Sequence, residues 1–278
     1  MKPPPFEYHA PATVEEALQL LADGNGTHAL AGGQSLVQLM KFRAVKPSAL
    51  VDLNGVAGLD VLEERDGELH VGALVRQQRL LEDELVAARW PLLREAAKFV
   101  GYKETRRRGT VGGSLAFAAP WAELTAAAVA LDAAIDVRSL NGERTISARS
   151  FFRGPNATAL EPGELIVRAR FPAPAARSGA AFHEVSARYR DYAQVAAAAI
   201  VSLDGAADLV LLRVAPAPFH VDASSALEDE GALDDLLAGI EPEDDIEVSA
   251  AHRRRIAPVL ARRALRDAAA NARARETA

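Results

Sequence analysis

The chain has 278 residues, 49% hydrophobic and 25% charged, a length that suits about two soluble globular domains. It contains no cysteine, which excludes a disulfide framework, thiolate zinc, a cysteine nucleophile and any iron–sulfur cluster held by this chain. The net charge of −6 argues against a nucleic-acid partner, because neutralising phosphates needs a basic face.

The opening MKPPPFEYHAP has no apolar export core. Thr13-Val14-Glu15-Glu16 is a capping box, and Ala17, Leu18, Leu20 and Leu21 continue it as an amphipathic helix stopped at Gly24-Asn25-Gly26. His28 to Ala31 reads as a buried strand, Leu36 to Phe42 as a helix and Ala49 to Leu53 as a second strand. A hairpin is expected over residues 59–73 with its turn at Asp66-Gly67, and a helical pattern from Gln77 to Phe99. Residues 100–120 read as a glycine-rich loop, Leu124 to Ala134 as a buried helix, and residues 135–146 as a hairpin around Asn141-Gly142. Leu165 to Phe171 is a strand, followed by a Pro/Ala linker over 172–177. Strands are expected at 181–186, 194–203 and 208–214, helices at 224–239 and 249–270, and a frayed tail after Asn271. The most apolar stretch, Ala193 to Leu203, is interrupted by Gln194 and falls short of the ~18 residues that span a bilayer. These elements predict an α+β fold, without a regular βαβ rhythm, in an untargeted cytoplasmic protein. From Asp222 to Glu247 there are many carboxylates and no Lys or Arg, and arginine dominates from Arg253 onward. This reads as a solvated acidic surface followed by a basic helix face, or as a docking surface for a partner subunit.

Gly24-Asn25-Gly26-Thr27-His28-Ala29 fits the dinucleotide pattern G-x-G-x-x-A, but it follows a helix and precedes a strand, the reverse of the order that fingerprint needs. Two other glycine turns are better placed. Ala31-Gly32-Gly33-Gln34-Ser35-Leu36 follows a strand and opens a helix, and Thr110-Val111-Gly112-Gly113-Ser114 lies in the long irregular stretch. Without Cβ atoms, paired glycines let backbone N–H groups approach phosphate oxygens, and Ser35, Thr110 and Ser114 add hydroxyls. Either turn alone reads as a plain turn; together they suit a diphosphate held from both sides. The six histidines show no metal-ligand spacing, and no G-x-S-x-G is present, so neither a metal site nor a nucleophile is expected. The run Arg106-Arg107-Arg108 reads either as phosphate-facing or as ordinary surface cations.

The two turns resemble those of the flavin-binding medium subunits of molybdenum hydroxylases, the carbon monoxide dehydrogenase and xanthine dehydrogenase relatives. The family pattern A-G-G-x-S-L stands at 31–36. Its second pattern, R-N-R-G-T-[IV]-G-G-N-L-A-H-A-D-P-x-x-[DE], is matched by Arg106 to Glu123, with Arg107, Ser114, Phe117 and Ala119 as departures. Val51-Asp52-Leu53, Gly72-Ala73-Leu74, Arg188 with Asp191-Tyr192-Ala193, and the arginine-rich C-terminus extend the likeness over nearly the whole chain. The family often has a lysine near 183 or 184, where this chain has His183 and Glu184, so Glu184 is expected to point away from a diphosphate.

The resemblance implies a PCMH/VAO-type FAD-binding unit over residues 1–175, in subdomains of about 1–56 and 57–175, and a small C-terminal α+β domain over 177–278. It implies that Ala31, Gly32, Gly33, Gln34, Ser35, Leu36, Thr110, Val111, Gly112, Gly113 and Ser114 hold the FAD diphosphate. It further implies that Glu123 accepts hydrogen bonds from cofactor hydroxyls, that Leu165 packs on the cofactor's ring system or adenine, and that Tyr192 sits near the isoalloxazine. No catalytic side chain is expected. The partners would be a large molybdenum-cofactor subunit and a small subunit with two-iron two-sulfur clusters, as a dimer of heterotrimers, passing electrons through FAD to an outside acceptor. A stand-alone flavin oxidase, and a structural subunit that has lost FAD, are the alternatives.

Overall fold

The computed structural model describes residues 2–22 and 26–277. The expected helix stop at Gly24 and Asn25 lies outside them. The first 52 residues form a parallel three-stranded sheet, β1 (Glu7–His9), β2 (Thr27–Leu30) and β3 (Ala49–Asp52), in the order β1-β3-β2. Two crossover helices, α1 (Val14–Ala22) and α2 (Leu36–Lys41), join the strands. This is a βαβαβ unit that pattern reading missed, because β1 has only three residues and a polar sequence. Thr13 caps α1 as expected, Glu16 N donating to Thr13 Oγ1, while the Glu16 carboxylate reaches one residue further back, to Ala12 N rather than Thr13 N.

An antiparallel sheet of five strands follows, in the order β4-β5-β10-β6-β7. Its strands are β4 (Leu62–Arg65), β5 (Glu68–Gly72), β6 (Ala134–Ser139), β7 (Gly142–Ser147) and β10 (Leu165–Pro172). Between β5 and β6 the chain is helical. The single helix expected over 77–99 is three: α3 (Gln77–Glu82), α4 (Glu84–Arg89) and α5 (Pro91–Phe99). Asp83 caps α4 through the N–H groups of Leu85 and Val86, and Pro91 cannot continue α4, so the direction changes twice. The stretch read as a loop holds α6 (Lys103–Arg108) and α7 (Val111–Phe117), ahead of α8 (Glu123–Ala130), which is buried on all sides. A short helix α9 (Ala148–Phe151) and the small ladder of β8 (Phe152–Gly154) and β9 (Ala157–Thr158) lead into β10.

The C-terminal part is an antiparallel sheet of β11 (Ser178–Ser186), β12 (Ala193–Ser202), β13 (Ala207–Leu212) and β14 (Phe219–Asp222). α10 (Glu230–Leu236) follows, and then α11 (Ala250–Glu276), which runs past Asn271 where a frayed tail was expected. β12 is sandwiched. Ala196 and Ala198 join the core shared with α5 and α8, whereas Ala197 and Ala199 join the core beneath α11. Small side chains let both layers approach; at Gly179 a Cβ would stand 2.2 Å from the backbone nitrogen of Ala272. The acidic stretch and the basic helix pair with each other. Asp245 accepts from Arg213 and from the buried Arg253, and Arg262 donates to Asp234 at 2.6 Å.

Candidate cofactor site

The two glycine turns, about eighty residues apart in sequence, meet in space. A Cβ on Gly32 would lie 2.2 Å from the carbonyl oxygen of Arg108 and 2.9 Å from the Cα of Gly109, and one on Gly113 would lie 3.7 Å from the Cβ of Ala31. Only glycine permits backbones to seat this closely. Gly33 has φ +71, the left-handed region, which turns the chain from β2 into α2. The second turn is seated on the segment after β5. Val111 N donates to Val75 O, Gly112 N to Ala73 O and Gln77 N to Gly109 O, each at 2.9–3.0 Å, and a Cβ on Gly112 would lie 2.5 Å from the Cβ of Ala73.

The turns differ in what they leave open. The backbone N–H groups of Gly32, Gly33, Gln34 and Ser35 donate to no described residue. In the second turn the N–H groups of Val111, Gly112, Gly113 and Ser114 are all engaged, the last two by the hydroxyl and carbonyl of Thr110. Thr110 Oγ1 acts there as an acceptor, so its own O–H remains available to donate, as does that of Ser114. Four adjacent N–H groups without a described acceptor, beside close-packed glycine backbone, are donors of the kind that can serve an anion. With only six and seven residues, α2 and α7 add little dipole field, so the donors themselves carry the electrostatics.

A polar strut joins the turns. Asn54 Nδ2 donates to Ala31 O at 3.0 Å, Arg76 Nη2 donates to Asn54 Oδ1 at 2.6 Å, and Arg76 Nη1 donates to Arg108 O. Burial and the neighbouring Arg108 charge hold the Arg76 guanidinium below its ordinary pKa, against the pull of Asp52. Neither Asn54 nor Arg76 was singled out from sequence, because the contacts that define their roles span 22 residues or more. Arg106 is not phosphate-facing: it is buried and bonds Gln78 Oε1 at 3.0 Å and the carbonyls of Val100 and Gly101. Arg107 and Arg108 are exposed.

The other expected site residues fall in two places. Leu165, at the start of β10, is buried in a cluster with Val14, Leu18, Val51, Leu59 and Leu74, against which Ala31 of the first turn also packs. Gln34 folds back, its Nε2 3.3 Å from Gly32 O, and Ser35 and Leu36 start α2 half-buried. Glu123 begins α8 and is 7% exposed. Burial raises its carboxyl pKa to about 7, opposed only by its own backbone N–H. Glu184, on β11 in register with Ala196, is half-buried. Both its carboxylate oxygens are buried with no hydrogen-bond partner, and burial, then the charge of Glu123, pushes its pKa up to about 9. Tyr192, at the entry to β12, is 57% exposed, and its ring centroid lies 4.6 Å from that of Trp121, two residues before Glu123. Among the described residues, no group of acidic, histidine or cysteine side chains is arranged to hold a metal ion, and no helix is long and apolar enough to cross a membrane.

A three-stranded parallel unit and a five-stranded antiparallel unit, joined by two interlocked glycine turns of which the first keeps open N–H donors, set the chain outside the Rossmann class and suit an anionic cofactor. Residues 4–174 match the family model described as "FAD binding domain in molybdopterin dehydrogenase", and the chain belongs to that family. It is 45% identical over 205 residues to the 6-hydroxypseudooxynicotine dehydrogenase complex subunit alpha of Paenarthrobacter nicotinovorans, covering 73% of this chain and 69% of that one. It is 32% identical over 286 residues to the carbon monoxide dehydrogenase medium chain of Afipia carboxidovorans, covering 98% and 99%. Among solved structures it superposes on CO dehydrogenase from Oligotropha carboxidovorans with a TM-score of 0.91 at 32% identity, covering 98% of this chain and 100% of the other. On quinoline 2-oxidoreductase from Pseudomonas putida 86 the TM-score is 0.91 at 37% identity, covering 98% and 99%. The α+β reading and the PCMH-type unit with an added C-terminal part agree with these matches.

Proposed function

We propose that this chain is the flavin-carrying subunit of a molybdenum hydroxylase-type complex. In this reading the chain would hold FAD, which would supply electron transfer between an iron–sulfur subunit and an outside acceptor. The observation that carries the reading is the row of open N–H groups from Gly32 to Ser35, seated on the glycine backbone of the second turn.

The residues present fit FAD. Gly32 to Ser35 donate to the diphosphate, with Ala31 and Leu36 framing them. Thr110 to Ser114 form the opposing wall and offer two hydroxyls. Glu123 accepts from cofactor hydroxyls; a carboxyl whose pKa burial raises to about 7 ionises more readily once such donors reach it. Leu165 gives an apolar surface on the side of the first turn, and Tyr192 lies by the ring system. Bound FAD supplies the redox chemistry, and the chain binds, orients and tunes it. No side chain here need break a substrate bond. With no cysteine in the chain, any cluster that delivers electrons sits on another subunit.

In the same reading residues 1–175 are the FAD-binding domain and 177–278 a C-terminal domain. The partners are a large molybdenum-cofactor subunit and a small subunit with two-iron two-sulfur clusters, as a dimer of heterotrimers in the cytoplasm. The relatives named for carbon monoxide and for a hydroxylated nicotine derivative support the class of complex. Purification of the tagged chain from its own cells tests this. Recovery with a molybdenum-containing subunit and a cysteine-rich iron–sulfur subunit is expected, and recovery of the chain alone in active cells would contradict it.

A further inference from the structure

Trp121 stands where three parts of the chain meet. It follows Pro120 and packs on the main core, it touches Tyr192 at the start of β12, and the Arg213 guanidinium lies 5.5 Å from its ring centroid at the end of β13. Arg213 is itself tied to Asp245, which also holds the buried Arg253, so the indole rests on an anchored cation. Tyr192 is held far less. More than half of it is exposed, and its hydroxyl bonds no described residue. Its loop runs through exposed residues 187–189 and a left-handed Arg190 at φ +64. The two rings are tilted by 36°, in contact but not stacked face to face.

We propose that Trp121 and Tyr192 form an aromatic clasp for the flavin ring system, Trp121 the fixed jaw and Tyr192 the movable one. The inference rests on the reading of the site as an FAD site and adds to it a ring-positioning residue. A fixed indole beside a mobile phenol can take up a flat, electron-poor ring against its face, because offset and parallel aromatic contacts are favoured over water on both surfaces. Trp121 immediately precedes the segment that places Glu123, so a ring held there and a cofactor chain held at Glu123 are fixed by one short, rigid stretch of backbone. Trp90, the other tryptophan, is fully buried with its Nε1 bonded to Pro172 O at 2.9 Å, and takes no part.

The test uses the excited-state lifetime of bound flavin, which collapses when an indole is in van der Waals contact because the indole gives up an electron to the excited ring. The FAD-loaded wild-type protein is expected to show a strongly shortened lifetime relative to free FMN. Trp121→Phe, loaded to the same extent, should lengthen it several-fold, and Tyr192→Phe should lengthen it less. Trp121→Tyr, the weaker electron donor, serves if the Phe variant does not fold, and must also lengthen it. A wild-type lifetime like that of free FMN, or one unchanged by a loaded Trp121 variant, overturns the clasp while leaving the FAD site standing. A wild-type protein that retains no FAD at all overturns the reading on which the clasp rests.

Discussion

Gly32 sits on the carbonyl oxygen of Arg108 so closely that a Cβ would come within 2.2 Å of it. The first glycine turn is thus built onto the backbone that introduces the second, and a side chain at Gly32 would force the two apart. Gly32→Ala is expected to cost about 1–3 kcal/mol of stability, the usual range for overpacking. It should also lower retained flavin, because the donors move away from their wall. Thermal unfolding and the flavin-to-protein absorbance ratio check both. Gly58, whose Cβ would meet nothing within 4 Å, is no control because its φ is +80; Gly154→Ala, with open space and no such φ, should be near neutral.

Arg76 ties Asn54, and through it Ala31, to Arg108. Arg76→Ala should loosen the junction by about 1.5 kcal/mol, the lower end for bonds to a charged group because the side chain is only partly buried. That corresponds to roughly tenfold weaker FAD binding. Titration of FAD into cofactor-stripped protein measures it; unchanged affinity would remove Arg76 from the account.

Glu184 and Glu123 give the fold a pH dependence. The Glu184 carboxyl is raised from 4.5 to about 9 in the folded chain. Below the unfolded value both states are protonated and no penalty exists. As pH rises toward the folded value the unfolded chain ionises first, and stability falls. Glu123, raised to about 7, adds in the same direction. Glu184→Gln should reduce the decline in urea midpoint between about pH 5 and pH 8, with the largest gain at the higher pH. A parallel decline in both proteins would contradict the burial of Glu184.

Asp245 is shifted the other way. Burial raises its carboxyl, but Arg253, the N–H groups of Glu247 and Val248, and Arg213 outweigh it and hold it well below the usual range. Its contribution is present above the unfolded carboxylate pKa and is lost as pH falls toward the folded value. Asp245→Asn leaves Arg253, 3% exposed, without its counter-charge. The expected loss is about 3–5 kcal/mol, read as an earlier urea transition.

Local signals in the sequence reached far. The capping box marked α1, the hairpin expected around Asn141-Gly142 formed as β6–β7 with its turn at Leu140-Asn141 and Gly142 opening β7, and the strand read over Leu165 to Phe171 is β10. Both glycine turns were visible because glycine pairs before apolar runs have few other uses. What was illegible depends on distance. The helices α6 and α7 were hidden because an arginine run and a glycine pair have weak helical signatures; α7 forms because Thr110 caps it and residues 73–75 take up its first N–H groups. That same pairing closes the donors of the second turn, so the division of labour between the turns required the tertiary structure. Glu184 was expected to turn away from a diphosphate, and only the register with Ala196 places it in an apolar interface beside Glu123. Trp121, one of two tryptophans, carried no signal until Tyr192 and Arg213 stood beside it.

The claim that two interlocked glycine turns hold a flavin dinucleotide is tested most directly by releasing and identifying whatever the purified chain carries. Heat-denatured protein should yield FAD, close to one per chain, and the Gly32→Ala protein distinctly less. Release of FMN or of no flavin, from wild-type protein that is folded and has been offered excess FAD, would contradict it.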